Sequence, residues 1–76
     1  MTRLPMVTAS QAIRALERAG FVVVRSKGSH HMMAHPADRT RRATVPLHKG
    51  QDLPRGMLRN ILATSRLTVD EFRALL

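Results

Sequence analysis

The residues with the clearest capacity for chemistry form one short run, Gly28-Ser29-His30-His31, in which two histidines follow a Gly-Ser pair. Histidine has an unperturbed pKa of about 6.5, so it exchanges protons near neutral pH. A glycine permits close approach of the backbone to a phosphate, and a serine hydroxyl can donate a hydrogen bond to it. The run therefore predicts a site that holds a phosphodiester and moves a proton, against two alternatives, a metal site and an ordinary strand start.

The charge of the chain points to a polyanionic partner. Thirteen Lys and Arg residues stand against five acidic residues, a net charge of +8, which favours a nucleic acid or an acidic protein. Only two residues are aromatic, both phenylalanine, so base stacking is not expected and binding is predicted through phosphates and shape. The candidate phosphate contacts are Arg25, Arg41, Arg42, Arg55 and Arg59, with Lys27 and Lys49 expected to stabilise developing negative charge.

Length and composition predict one small domain over residues 1–76, with residues 1–7 as a loose lead-in. The absence of cysteine excludes disulfides and thiolate zinc sites. No apolar run approaches the ~20 residues that cross a membrane, and the first residues lack a signal-peptide apolar region. The chain is therefore expected in the cytoplasm, without a membrane partner.

The elements that must position the histidines follow from periodicity and capping signals. Thr8 with Gln11, and Thr68 with Glu71, fit capping boxes that each begin a helix. β-Branched and aromatic residues favour strands, and Pro46 is expected to end the last strand or to place it at an edge. The predicted elements are a helix over 9–19, strands over 21–25, 30–35 and 42–46 with a polar loop over 36–41, a helix after Pro54 and a final short helix after Thr68.

This order predicts an α+β fold, α-β-β-β-α with a short extra C-terminal helix. A three-stranded antiparallel sheet with its helices on one face is the natural packing for such an order. Strand alternation places His30 with Met32 and Ala34, and His31 with Met33 and His35. Because the first set is the more apolar, it is expected to face the core and to leave His31 exposed to a ligand.

The same residues resemble a known family. The ordered set comprises Ala19-Gly20-Phe21, Arg25, Lys27-Gly28-Ser29-His30-His31, Thr44-Val45-Pro46-Leu47-His48 and Leu53-Pro54-Arg55-Gly56-Met57-Leu58-Arg59-Asn60-Ile61-Leu62. This set, from about residue 8 to residue 76, is similar to the HicA toxins of HicA–HicB toxin–antitoxin systems. Each piece alone is weak, whereas the whole set at this length and charge is fairly specific.

The resemblance implies a fold like the double-stranded-RNA-binding domain. It also implies a ribosome-independent mRNA interferase, an endoribonuclease that arrests translation and is neutralised by a HicB antitoxin. In the family the histidine after Gly-Ser is catalytic, which corresponds to His30 here, and the family's glycine corresponds to Gly28. His30 is then expected to be the general base toward the RNA 2′-OH, with neighbouring cations favouring its neutral form. His31 is the alternate base, and either His31 or His48 is a candidate to protonate the leaving oxygen.

No metal or other cofactor is expected. His30 and His35 fall on opposite faces of a strand, and His31 and His35 are separated by about 13 Å along it, whereas zinc needs each ligand near 2.1 Å. His35, before Pro36, is read as an exposed strand-end residue. Two other functions remain open, a non-catalytic double-stranded-RNA-binding module and a small basic protein that binds an acidic partner.

Overall fold

The computed structural model describes residues 3–48 and 50–76. Its element order confirms the predicted α+β fold, with three strands between the first helix and two further helices. The elements are α1 (Ala9–Arg18), β1 (Val22–Lys27), β2 (His30–His35), β3 (Asp38–Pro46), α2 (Arg55–Ser65) and α3 (Val69–Ala74). Both predicted capping boxes are present, at the start of α1 and at the start of α3.

The three strands form one antiparallel sheet in the order β1-β2-β3, so that β1 and β3 are its edges. A two-residue turn, Gly28-Ser29, joins β1 to β2. Gly28 has a φ of 57°, and glycine at the first position of such a turn is typical of a type II′ hairpin, whose twist matches that of the strands. β3 ends at Pro46, as predicted for a proline at a sheet edge.

The predicted polar loop over 36–41 is wrong in its C-terminal part. β3 begins at Asp38, after a turn at Pro36 and Ala37. Ala34 pairs with Arg42 but the next residue of β2 pairs with Asp38, so residues 39–41 form a large bulge in β3. The Asp38 carboxylate accepts hydrogen bonds from the backbone N–H and the hydroxyl of Thr40. Local side-chain bonding therefore lets this polar segment remain part of the strand.

The core lies between one face of the sheet and the helices. Met33, Ala43 and Val45 project from the sheet into a cluster with residues of all three helices. Three alanines and Leu16 are the buried residues of α1. The remaining large core side chains are Phe21, Leu58, Ile61, Leu62, Leu67 and Phe72.

Part of the N-terminal segment, which was expected to be a loose lead-in, packs against the core, although Met6 within it is 74% exposed. Val7 is buried and Leu4 packs against the core. The Leu53 N–H donates to the Val7 carbonyl at 2.8 Å, and Thr8 forms an isolated bridge with Asp52. Val7 has no periodic apolar neighbours, so the sequence did not predict its burial. In the structure, the loop before α2 donates a hydrogen bond to its carbonyl.

The sheet buries the face opposite to the one that strand alternation predicted. Met33 is only 1% exposed and pairs with the buried Ala43, whereas Met32 is half-buried and pairs with the exposed Thr44. The helices therefore cover the face of His31 and Met33, and the face of His30 and Met32 is free of helices. Comparing the numbers of apolar residues on the two faces of β2 predicted the wrong face for the core, because the apolar Met32 and Ala34 line a groove on the open face.

Candidate nucleic-acid interface

The β1–β2 hairpin places His30 directly opposite Lys27. The two residues flank the Gly28-Ser29 turn and are paired in the sheet register. Both side chains are exposed, and because cross-strand partners project to the same face, an ammonium and an imidazole lie side by side on the open face. This arrangement can hold an anion next to a group that exchanges protons.

The end of β3 is attached to the same turn. The Leu47 N–H donates to the Ser29 carbonyl at 2.7 Å, and His48 follows immediately as an exposed residue. The structure thus brings the third candidate histidine to the hairpin end of the sheet, whereas strand spacing alone left its location open. Lys49, the other predicted cation of this loop, lies outside the described residues.

Further basic residues continue along the open face. Arg25 pairs with Met32, which pairs with Thr44 on the other side. In the next row Ala34 pairs with Arg42. Alternate residues along β2 face the same way, so Arg25 and Arg42 share the face of His30. Met32, Ala34 and Thr44 were not predicted to lie beside the site. The available signal was the two-residue spacing of Met32 and Ala34 from His30 along β2, whereas Thr44 joins this face because it pairs with Met32.

His31 lies on the helix-covered face and is half-buried, opposite Val45. Its Nδ1 atom is buried and has no hydrogen-bond partner. The expectation that His31 is the more exposed histidine is therefore wrong, because the core forms on its side of β2.

His35 is also a packing residue of that face, half-buried rather than exposed as expected. Its ring stands edge-on to Phe21, with the centroids 5.3 Å apart and the planes at 87°. Its Nδ1 atom accepts a hydrogen bond from the Ala37 N–H at 3.1 Å. These contacts place it at the β2–β3 turn, away from the hairpin end.

Arg41 lies on the helix-covered side of the sheet, as does α2 with its arginines. The Arg41 guanidinium lies 5.3 Å from the centroid of the Phe21 ring, and its Nε donates to the Ser65 carbonyl at 2.8 Å. Its cation thus supports the end of α2 rather than the open face. Arg55 and Arg59 are exposed on α2, on the helix-covered side. The structure thus directs Arg41 away from the open face, whereas the roles of Arg55 and Arg59 stay predictions.

Two carboxylates, those of Asp38 and Glu71, have partners close to them in the sequence. Asp38 is held by the Thr40 hydroxyl and backbone N–H, which together with Arg66, 3.2 Å away, lower the pKa of its carboxyl. The Thr68 backbone and hydroxyl likewise lower the pKa of Glu71 in the α3 capping box. Within residues 3–48 and 50–76, no three His, Cys, Asp or Glu side chains are grouped as a metal site would require.

Among those same residues, no helix is both long and apolar enough to cross a membrane. No curated protein matches the sequence. One protein family does match: the sequence model of the family described as HicA toxin of bacterial toxin-antitoxin aligns with residues 9–67. This range includes the whole sheet, α1, α2 and the histidine hairpin. On this match, the chain belongs to the HicA toxin family of bacterial toxin–antitoxin systems.

Proposed function

We propose that this toxin is a metal-independent endoribonuclease that cleaves mRNA with His30 as its general base, and so inhibits translation and growth. The observation that supports it best is the exposed pairing of His30 with Lys27 at a Gly-Ser turn on the open face. The family match supports the same role in general terms, since the chain is the toxin of a toxin–antitoxin pair.

The reaction uses the nucleophile that RNA itself carries. Neutral His30 removes the proton of a 2′-OH, and the oxygen attacks the adjacent phosphorus while the bond to the 5′-oxygen breaks. The products are a 2′,3′-cyclic phosphate and a free 5′-OH, after the leaving oxygen takes a proton from His48 or water. Lys27 stabilises the charge that develops on the phosphate, and Arg25 and Arg42 bind the flanking backbone.

Gly28 and Ser29 contribute to positioning. With no Cβ at Gly28 and nothing within 4 Å of where one would be, a phosphate can approach the backbone of the turn closely. The Ser29 hydroxyl is available to donate to a phosphate oxygen, while its carbonyl is occupied by Leu47.

An antitoxin partner is implied by membership of the family. We propose that a HicB-type antitoxin neutralises the toxin by covering the open face and thereby denying RNA access to His30. The basic character of this face suits both an RNA and an acidic protein surface.

The test is cleavage of a defined mRNA by purified wild type, His30→Ala, His31→Ala and His48→Ala, together with growth after induction. Loss of a general base is expected to reduce cleavage by about 10²–10⁴-fold. That loss is expected for His30→Ala, with circular dichroism showing a native fold. His31→Ala is the matched control, because it removes the neighbouring imidazole from the opposite face.

Full activity of a folded His30→Ala protein, or loss of activity in His31→Ala alone, overturns the assignment. Cleavage is expected to persist in EDTA, and its loss contradicts a metal-independent reaction. A wild type that binds RNA but never cleaves it is instead a double-stranded-RNA-binding module.

A further inference from the structure

The open face of the sheet contains an apolar groove whose apolar side chains the proposed reaction does not use, although Arg25 and Arg42 at its rim are also proposed to bind RNA. Its volume is about 600 Å³, and all three strands contribute to its lining. Val22 and Val24, on the β1 side, are 47% and 62% exposed, which is unusual for large apolar side chains unless a ligand or partner covers them. Ala34 pairs with Val22 on one side and with Arg42 on the other, and it is only 8% exposed, so this small side chain lies deep between larger neighbours in the groove.

All the charged residues that line this groove are basic. Arg25, Arg39 and Arg42 line it, one from β1 and two from β3, and none of the lining residues is acidic. The Arg42 Nε donates to the Arg39 carbonyl at 3.1 Å, which holds the Arg42 side chain against the backbone of Arg39. An apolar depression inside a ring of guanidinium groups matches a large apolar side chain that is flanked by carboxylates.

We propose that this groove, which we name the Ala34 groove after its central residue, binds an acidic segment of a partner protein. The segment inserts one large apolar side chain over Ala34 and pairs its carboxylates with Arg25, Arg39 and Arg42. Such an anchor, buried in a pocket and surrounded by polar contacts, is where binding energy concentrates in protein interfaces.

Charge and chemistry select this occupant over two others. A second copy of the chain would bring another surface of a protein with net charge +8 against the arginines, and like charges repel. An RNA strand satisfies the arginines but leaves the apolar side chains of Val22, Val24 and Met32 facing phosphates, and the groove contains no aromatic residue other than His35 on which a base could stack.

The groove is contiguous with the candidate active site. Ala34 and His30 are four residues apart on one face of β2, a distance of about 13 Å. A bound segment that extends toward the hairpin therefore crosses the position of the RNA backbone. The expected block of RNA binding rests on the proposed function, whereas binding of the segment itself does not.

The experiment selects binders from a display library of short random peptides, using the full-length chain as bait. Enriched peptides are expected to be acidic with one large apolar residue. Their affinity is then measured for Ala34→Leu, which fills the depression on the face away from the core. Loss of one apolar anchor is expected to weaken binding by about tenfold or more.

A second variant protects the test against a folding defect in Ala34→Leu. Val24→Glu places a carboxylate at the lip of the groove on a side chain that is already 62% exposed, so it is also expected to weaken peptide binding. Met6→Glu is its matched control, since Met6 is 74% exposed and does not line the groove. Thermal melts establish that each variant is folded.

The proposal is overturned if no acidic peptides are enriched, or if the enriched peptides bind folded Ala34→Leu and Val24→Glu as tightly as wild type. It is also overturned if the uncharged variant Ala34→Leu loses affinity for single-stranded RNA by the same factor, because the groove is then an RNA surface. Cleavage of RNA by the free protein is measured separately. Peptide binding without any cleavage supports the groove and contradicts only the nuclease.

Discussion

Arg41 is predicted to stabilise the fold and not to bind RNA, although its sequence context, Arg39-Thr40-Arg41-Arg42, indicated a phosphate contact. The structure turns its guanidinium toward Phe21 and the Ser65 carbonyl on the helix-covered side. Arg42, the next residue, points to the open face. The pair therefore separates a structural from a binding arginine at adjacent positions.

The magnitude follows from the two contacts that Arg41→Ala removes. A hydrogen bond from a charged donor contributes about 1.5–3 kcal/mol, and a cation–π contact about 0.5–1 kcal/mol. Since one guanidinium makes both contacts, their contributions overlap, and a total loss of about 2–3 kcal/mol is expected. In a domain of this size each kcal/mol lowers Tm by about 4–8 °C, so Tm is expected to fall by roughly 10–20 °C.

The assay combines thermal unfolding with RNA binding at a temperature where every variant is folded. Arg41→Met keeps an aliphatic side chain beside Phe21 but removes both the cation over the ring and the donor to Ser65, so it separates side-chain packing from the two polar contacts. Arg42→Ala is the control, since its side chain is exposed and bonds only to the nearby Arg39 carbonyl. Its stability is expected within about 0.5 kcal/mol of wild type, with RNA binding weakened.

The reasoning is refuted if Arg41→Ala melts within a few degrees of wild type. It is equally refuted if Arg41→Ala weakens RNA binding as much as Arg42→Ala does while both proteins are folded. Either result means that the Arg41 guanidinium does not bind the Ser65 carbonyl at the end of α2 in solution.

Two further predictions concern the helix ends. Gly20→Ala is expected to destabilise the protein by about 1–3 kcal/mol, because Gly20 has a φ of 99° and a Cβ there meets His35 Nε2 at 2.9 Å. Chemical denaturation measures this loss. Gly56→Ala, in α2 with open space around it, is the control that must not lose stability, because alanine favours a helix more than glycine does. The α3 capping box is expected to weaken in acid: since folding lowers the pKa of Glu71, its contribution is complete above the unfolded value of about 4.3 and is lost as the pH falls through the lower folded pKa. The stabilities of wild type and Glu71→Gln are compared between about pH 5 and pH 2, the range over which such a carboxyl titrates. If the stability of Glu71→Gln falls with acid as steeply as that of wild type, Glu71 is not a source of the acid sensitivity.

Local signals predicted the elements well where a short segment contains its own partner. The capping boxes at Thr8 and Thr68 join groups only three residues apart, and the turn at Gly28 needs only a residue that tolerates positive φ. The extension of β3 was missed because a bulge over residues 39–41 separates Asp38 from the regular pairing that begins at Arg42, and strand periodicity does not show such a bulge. The packing of Val7 was missed because its backbone partner, Leu53, is distant in sequence.

The candidate site was predicted in part. The sequence identified the Gly-Ser-His-His run, and the resemblance selected His30, but alternation of apolar residues selected the wrong face for the core. Which face of β2 is buried depends on where the helices pack, and that is a property of the whole chain. The catalytic assignment itself stays a prediction.

The element order, the capped helices, the hairpin turn and the family could thus be predicted from the sequence, because they depend on short-range chemistry and ordered motifs. That His30, Arg25 and Arg42 share an open face while His31 and Arg41 face the helices is known from the fold alone. A strand has two equivalent faces, and burial against α1, α2 and α3 makes them different. The Ala34 groove is a consequence of the same choice, since it exists only on the face that the helices leave uncovered.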